Sequence, residues 1–113
     1  MRYVMFVCTD PTGEKYVPEE DTVGEWVEEM DRRRVRILGH RLKGVDVAIT
    51  VRRRQGKVLV TDGPFAETKE WTAGFDLLEC ADLDEAIEIA SKHPMARFGR
   101  IEIRPFWPEG GGG

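Results

Sequence analysis

Two stretches of the chain carry the three-and-four spacing of an amphipathic helix, and each lies between runs with strand character. Val23, Trp26, Val27 and Met30 make the first stripe, and Leu83, Ala86, Ile87 and Ala90 the second. The resulting order is strand, helix, several strands, helix, strand. Such an order predicts an α+β layer arrangement, with both helices on one face of a mostly antiparallel sheet. Two helices cover one face only. If the other face is apolar it needs a cover, and a second copy of the chain is the simplest one.

Local signals place the elements. Residues 3–8 are continuously apolar, as in a strand buried on both faces near the middle of a sheet. Thr22 and Glu25 fit a capping box, with Glu19, Glu20 and Asp21 adding negative charge at the helix start. Arg32, Arg33, Arg34 and Arg36 crowd the other end as a solvated, dipole-matched terminus, and Gly39 is a fitting stop. Residues 37–42 read equally as a last helical turn or a short strand. Val45, Val47, Ile49 and Val51 alternate with polar neighbours, which predicts a strand; residues 53–57 form a basic hairpin tip and 58–61 pair back. The tip reads as an edge device against aggregation.

Trp71, Ala73, Phe75 and Leu77 alternate with their neighbours in another strand, where Gly74 suggests a bulge or the close approach of a second backbone. Asp82 caps the second helix, with Glu85 three residues on. Pro94 stops it and leaves His93 at its C-terminus. Residues 97–100 connect to a last strand that contains Ile101 and Ile103 and ends at Pro105. Phe106 and Trp107 then pack on the sheet or on a partner. One domain over residues 1–107 and a flexible glycine-rich tail over 108–113 are expected.

The balance of charge narrows the partners. A net charge of -4 disfavours nucleic acid and anionic membrane alike. No run approaches the roughly 20 apolar residues of a membrane span, so the cytoplasm is the expected compartment. Cys8 and Cys80 sit in apolar surroundings and read as buried, reduced thiols. Two cysteines and two histidines at scattered positions make no zinc signature. Nucleophile elbow, phosphate loop and metal motif are all missing, and neither a metal nor a cofactor is expected.

The candidate chemistry gathers around residues 57–70. There Asp62, Gly63 and Pro64 form a strong turn between two strands. The turn presents Asp62, Glu67 and Lys69 as candidates for a pocket mouth, with Phe65 as an apolar anchor. His93 and Asp62 are the candidate acid–base pair, since histidine titrates near neutral pH. His40 and Arg41 are candidates for an anionic ligand, and the loop through Tyr16 is a candidate lid or rim.

Taken together, the run Gly56-Lys57-Val58-Leu59-Val60-Thr61-Asp62-Gly63-Pro64-Phe65-Ala66-Glu67-Thr68-Lys69-Glu70, followed by Gly74-Phe75, resembles the YCII-related family in its DGPF subgroup. Asp82-Leu83-Asp84-Glu85-Ala86 and Ile101-Glu102-Ile103-Arg104-Pro105 fit the same pattern, which spans the chain up to Trp107. The resemblance implies a ferredoxin-like βαββαβ core with an extra β-hairpin, pairing into a dimeric α/β barrel, a plan shared with muconolactone-isomerase-like proteins. It implies a homodimer of unassigned function in a signalling or transcription setting, with sigma-factor association; the functional expectation is a dimer that binds a small molecule. The other reading is a cofactor-free lyase, isomerase or hydrolase acting on a small organic acid. In the broader group the catalytic pair is a His on the first helix and an Asp before a Pro after the second. This chain has no His on the first helix and carries His93 before Pro94.

Overall fold

The computed structural model describes residues 1–63 and 70–108. Its strands are β1 (Arg2–Cys8), β2 (Arg36–Arg41), β3 (Ile49–Arg54), β4 (Lys57–Asp62), β5 (Thr72–Glu79) and β6 (Arg100–Pro105). Its α-helices are α1 (Val23–Arg32), α2 (Leu83–Ser91) and the short α3 (Met95–Phe98). Four strands form one sheet in the order β2-β5-β1-β6, and every neighbouring pair is antiparallel. With the β3–β4 hairpin set aside, this is the connectivity of a ferredoxin-like α+β sandwich. The apolar run of β1 is central, as expected.

Alternation along β1 divides the sheet into two faces. Tyr3, Met5 and Val7 are buried beneath the helices; Val4 and Phe6 are half-buried on the other face, opposite Leu77 and Phe75 of β5. The helix layer supplies Trp26 and Met30 from α1 and Ala86, Ile89 and Ala90 from α2. The Trp26 indole N–H donates to the Ile89 carbonyl at 2.9 Å, which ties the two helices together inside the core. Ile89, absent from the expected stripe, therefore fixes the buried face of α2, and Leu83 and Ile87 turn half-exposed.

The helix ends also differ from expectation. Asp82 Oδ1 accepts the Glu85 N–H at 2.9 Å and caps α2, as expected. At α1 the Thr22 hydroxyl makes no cap; Asp21 Oδ1 accepts the Val23 N–H at 3.2 Å instead. The helix stops well before Gly39, because Arg34 takes a left-handed φ of 59°. That frees residues 36–41 to form β2, with Gly39 in its interior. Of the four arginines expected as a solvated end, Arg32 and Arg34 are exposed as expected, whereas Arg33 and Arg36 are paired. Arg33 forks onto Glu88 at 2.7 and 3.0 Å and reaches Glu29 at 3.3 Å. Arg36 turns inward.

The hairpin stands as a two-stranded sheet of its own. Its tip, Gln55 and Gly56, takes φ of 51° and 77°, the double left-handed geometry of tight hairpins. Its first strand begins at Ile49. Val45–Val47 form a 3-10 turn in which the Val47 N–H donates to the Gly44 carbonyl at 3.2 Å. Cys8 and Cys80 are buried and unbridged. Arg97 and Phe98, expected at the start of a connection over 97–100, instead end α3. Among the described residues no helix is long and apolar enough to cross a membrane.

Candidate functional site

Between the sheet and the helix layer lies a cavity of about 580 Å³. Its apolar wall includes Val7, Trp26, Val27 and Phe98, and its polar groups include Arg36, Asp76 and His93. Two sheet glycines shape its floor. A Cβ on Gly74 would lie 2.9 Å from the His40 carbonyl, so β2 and β5 can approach there only without a side chain. The close-approach reading of Gly74 is thereby realised, and the β1–β5 register also shifts beside it, between Val7 and Cys8. A Cβ on Gly39 would fall 1.9 Å from Asp76 Oδ1. The carboxylate of Asp76 occupies the space that a side chain at position 39 would need.

Asp76 is 7% exposed, a rare situation for a carboxylate. Its Oδ1 accepts from Arg36 Nε at 2.9 Å; the other Arg36 nitrogens donate to Asp31 Oδ1 and the Gly39 carbonyl, each at 3.3 Å. Among the described residues Oδ2 has no hydrogen-bond partner. Burial raises the Asp76 pKa above the ordinary carboxylate value, against the pull of the Arg36 guanidinium. Arg36 spends its donors on the protein, so it orients Asp76 and neutralises it rather than serving an incoming ligand.

His93 is 5% exposed and stacks edge-on to Trp26, with ring centres 4.7 Å apart. Its Nδ1 accepts the Met95 N–H at 3.0 Å. That bond requires an unprotonated Nδ1, so the proton of the neutral ring resides on Nε2. Burial lowers the His93 pKa to about 4. At neutral pH the side chain is therefore a fixed neutral donor, and a poor proton acceptor.

The rim is built by the loop before α1. Tyr16 donates its hydroxyl to Asp21 Oδ2 at 2.5 Å and packs edge-on against Phe98 at 5.2 Å. Arg97 holds this loop through Glu14 at 3.0 Å and Glu20 at 3.2 Å. Arg41 also lines the cavity; it lies opposite Gly74 and is exposed.

Of the residues singled out in the sequence, His93, His40 and Arg41 line this one cavity, as does Tyr16 of the expected rim. His40 also packs its ring against Phe75, centres 6.1 Å apart. Asp62 does not line the cavity; it is exposed on the hairpin, opposite Ile49. Glu67, Lys69 and Phe65 lie outside the described residues. Sequence reasoning missed Asp76 and Arg36. Asp76 stood as one polar member of an alternating strand, and the signal that could have found it is a carboxylate on the same face as buried Leu78.

Fold and cavity together define a small α+β sandwich of ferredoxin-like connectivity with a polar-floored cavity between its layers. The chain belongs to the YCII-related domain family, whose profile matches residues 1–109. It is similar to an uncharacterized protein of Rhizobium meliloti (strain 1021), 36% identical over 104 residues, covering 77% of this chain and 84% of that one.

Proposed function

We propose that the chain is a homodimeric binder of a small organic molecule carrying one acidic group, and that the cavity between sheet and helices is its site. The carrying observation is that Asp76 and His93, both buried, face one cavity and each keeps a free hydrogen-bonding atom there. Asp76 Oδ2 accepts, His93 Nε2 donates, the walls are apolar, and Arg41 supplies positive charge at the mouth. A ligand with an apolar body, a hydroxyl or amide near Asp76 and a carboxylate near Arg41 matches that arrangement. The dimer reading is supported by the helix-free sheet face, where Val4, Phe6, Leu77 and Phe75 are only half-buried.

Isothermal titration with a panel of small aromatic and aliphatic carboxylic acids tests the reading. The expected result is one bound molecule per chain for at least one member, weakened tenfold or more in Arg41→Glu. Absence of binding across the panel rejects it. A second reading, a cofactor-free enzyme moving a proton on a small organic acid, is favoured by one observation: the buried Asp76 carboxyl, whose pKa burial raises against the pull of Arg36, lines the cavity beside His93. Here Asp76 takes the role that the sequence offered to Asp62, because it shares the cavity with His93. Membership of the DGPF subgroup is supported by the motif around Asp62 and Gly63; a sigma-factor partner is a proposal that follows from that resemblance alone, and a pull-down with purified sigma factor tests it.

A further inference from the structure

The β3–β4 hairpin is anomalous in an otherwise layered domain. Neither strand joins the main sheet, and every residue of β4 is exposed. The register places Val51 opposite Val60 and Arg53 opposite Val58. By strand alternation Ile49, Val51, Val58 and Val60 therefore share one face, with Arg53 among them. Val51 and Val60 are each 64% exposed. An isolated two-stranded hairpin is marginal in water, and an aliphatic face with unpaired edges invites a partner. The Cα radius of gyration is 16.3 Å. A compact chain of this length has about 13 Å. The excess fits an arm that projects from the body.

Charge points to what receives the arm. Residues 43–62 hold five basic and two acidic side chains, while the rest of the chain holds twelve basic and nineteen acidic ones. The arm is positive and the body strongly negative, so the arm of one copy is complementary to the body of another. The helix-free sheet face offers the matching surface. It is apolar at its centre, carrying Val4, Phe6, Phe75, Leu77 and, from β2, Leu38, with Glu102 opposite Phe6 and Arg104 opposite Val4. Six residues of strand reach about 20 Å, and four strands span about 19 Å, so one arm crosses one sheet.

We propose that the β3–β4 hairpin is a dimer arm whose Ile49, Val51, Val58 and Val60 seat on the helix-free sheet face of a second copy, reciprocally about a two-fold axis. This rests on the homodimer reading above and specifies its interface. An isologous exchange closes on itself, which turns an aggregation-prone edge into a finite assembly.

Sedimentation at tens of micromolar tests it on the full chain. The wild type is expected to run as a dimer; Val51→Lys with Val60→Lys, and separately Leu38→Lys, are expected to run as folded monomers by circular dichroism. A dimeric double-lysine variant overturns the arm while leaving the homodimer reading intact. Dissociation by the arm variant but not by Leu38→Lys overturns the seat. A monomeric wild type overturns both the arm and the homodimer reading. Should the lysine variant not fold, excision of residues 46–62 with a short Gly-Ser turn in their place decides the matter, since it removes the arm without charging a surface: a monomer supports the arm, and a dimer overturns it.

Discussion

Gly39 and Asp76 face each other across paired strands so closely that a Cβ on the glycine would fall 1.9 Å from the Asp76 carboxylate. This one vacancy in β2 lets a charged group be held under the helix layer, with Arg36 bonded to it at 2.9 Å. The pair is costly to bury and costly to break, because removal of either partner leaves the other unpaired in a place with little water.

Gly39→Ala should therefore destabilise the domain by about 2 kcal/mol through overpacking. The effect should shrink in an Asp76→Ala background, where the nearest obstruction is gone and only the end of the flexible Arg36 side chain, 2.8 Å from that Cβ, remains. Urea denaturation of the four proteins of this cycle measures the coupling. Equal costs of Gly39→Ala in both backgrounds would mean that the strand, and not the carboxylate, resists the methyl group.

His93 makes stability depend on pH in a defined direction. Unfolded, its ring takes a proton near its ordinary value of 6.5; folded, only near 4. Between these values the unfolded chain binds the extra proton, so stability is full above about pH 6.5 and is lost as pH falls toward 4. At about 1.4 kcal/mol per unit the span is on the order of 3 kcal/mol. The raised Asp76 works the opposite way, and the lowered Glu29, Glu79 and Glu88 add their losses further into acid. His93→Asn retains an acceptor for the Met95 N–H and cannot titrate. Its stability should be flatter between pH 4.5 and 6.5 than that of the wild type, as read by thermal melts across that range.

Much of the frame was legible in the residues. The unbroken apolar run of β1, the Asp82 cap and the Gly74 close approach each rest on a local signal that no distant contact overrides. The α1 terminus was misplaced because glycine is the usual stop, whereas Arg34 adopts the left-handed conformation itself. The stripe of α2 was misassigned because the Trp26 bond to the Ile89 carbonyl, which spans 63 positions, helps to set its rotation. The site was the least legible part. His93, His40 and Arg41 were visible as residue types. The pairing of Arg36 with Asp76 depends on register between β2 and β5, which leaves no mark in either segment alone.

Trp26→Phe removes an indole N–H and leaves the Ile89 carbonyl without its side-chain donor. A loss of about 1–2 kcal/mol is expected, with the α1–α2 contact loosened. Amide exchange along α2 should quicken relative to β1. Unchanged exchange would show that packing alone holds the helices together.

Arg33 clamps the same two helices from outside through Glu88, which it holds down at about 2 in pKa, and through Glu29. As the cluster is partly solvated, Arg33→Ala should cost about 1 kcal/mol, and less in high salt. Chemical denaturation in urea at low and high sodium chloride separates the charge contribution from the packing of the arginine stem.

The central claim is that a small acidic molecule occupies the cavity over Asp76. Titration of the carboxylic acid panel, followed by amide and indole N–H shifts in nuclear magnetic resonance, tests it most directly. The account predicts that one class of acid moves the Trp26 indole and the Gly39, Gly74 and Met95 amides together along a single binding curve. Shifts confined to residues away from the cavity, or none with any member, would contradict it.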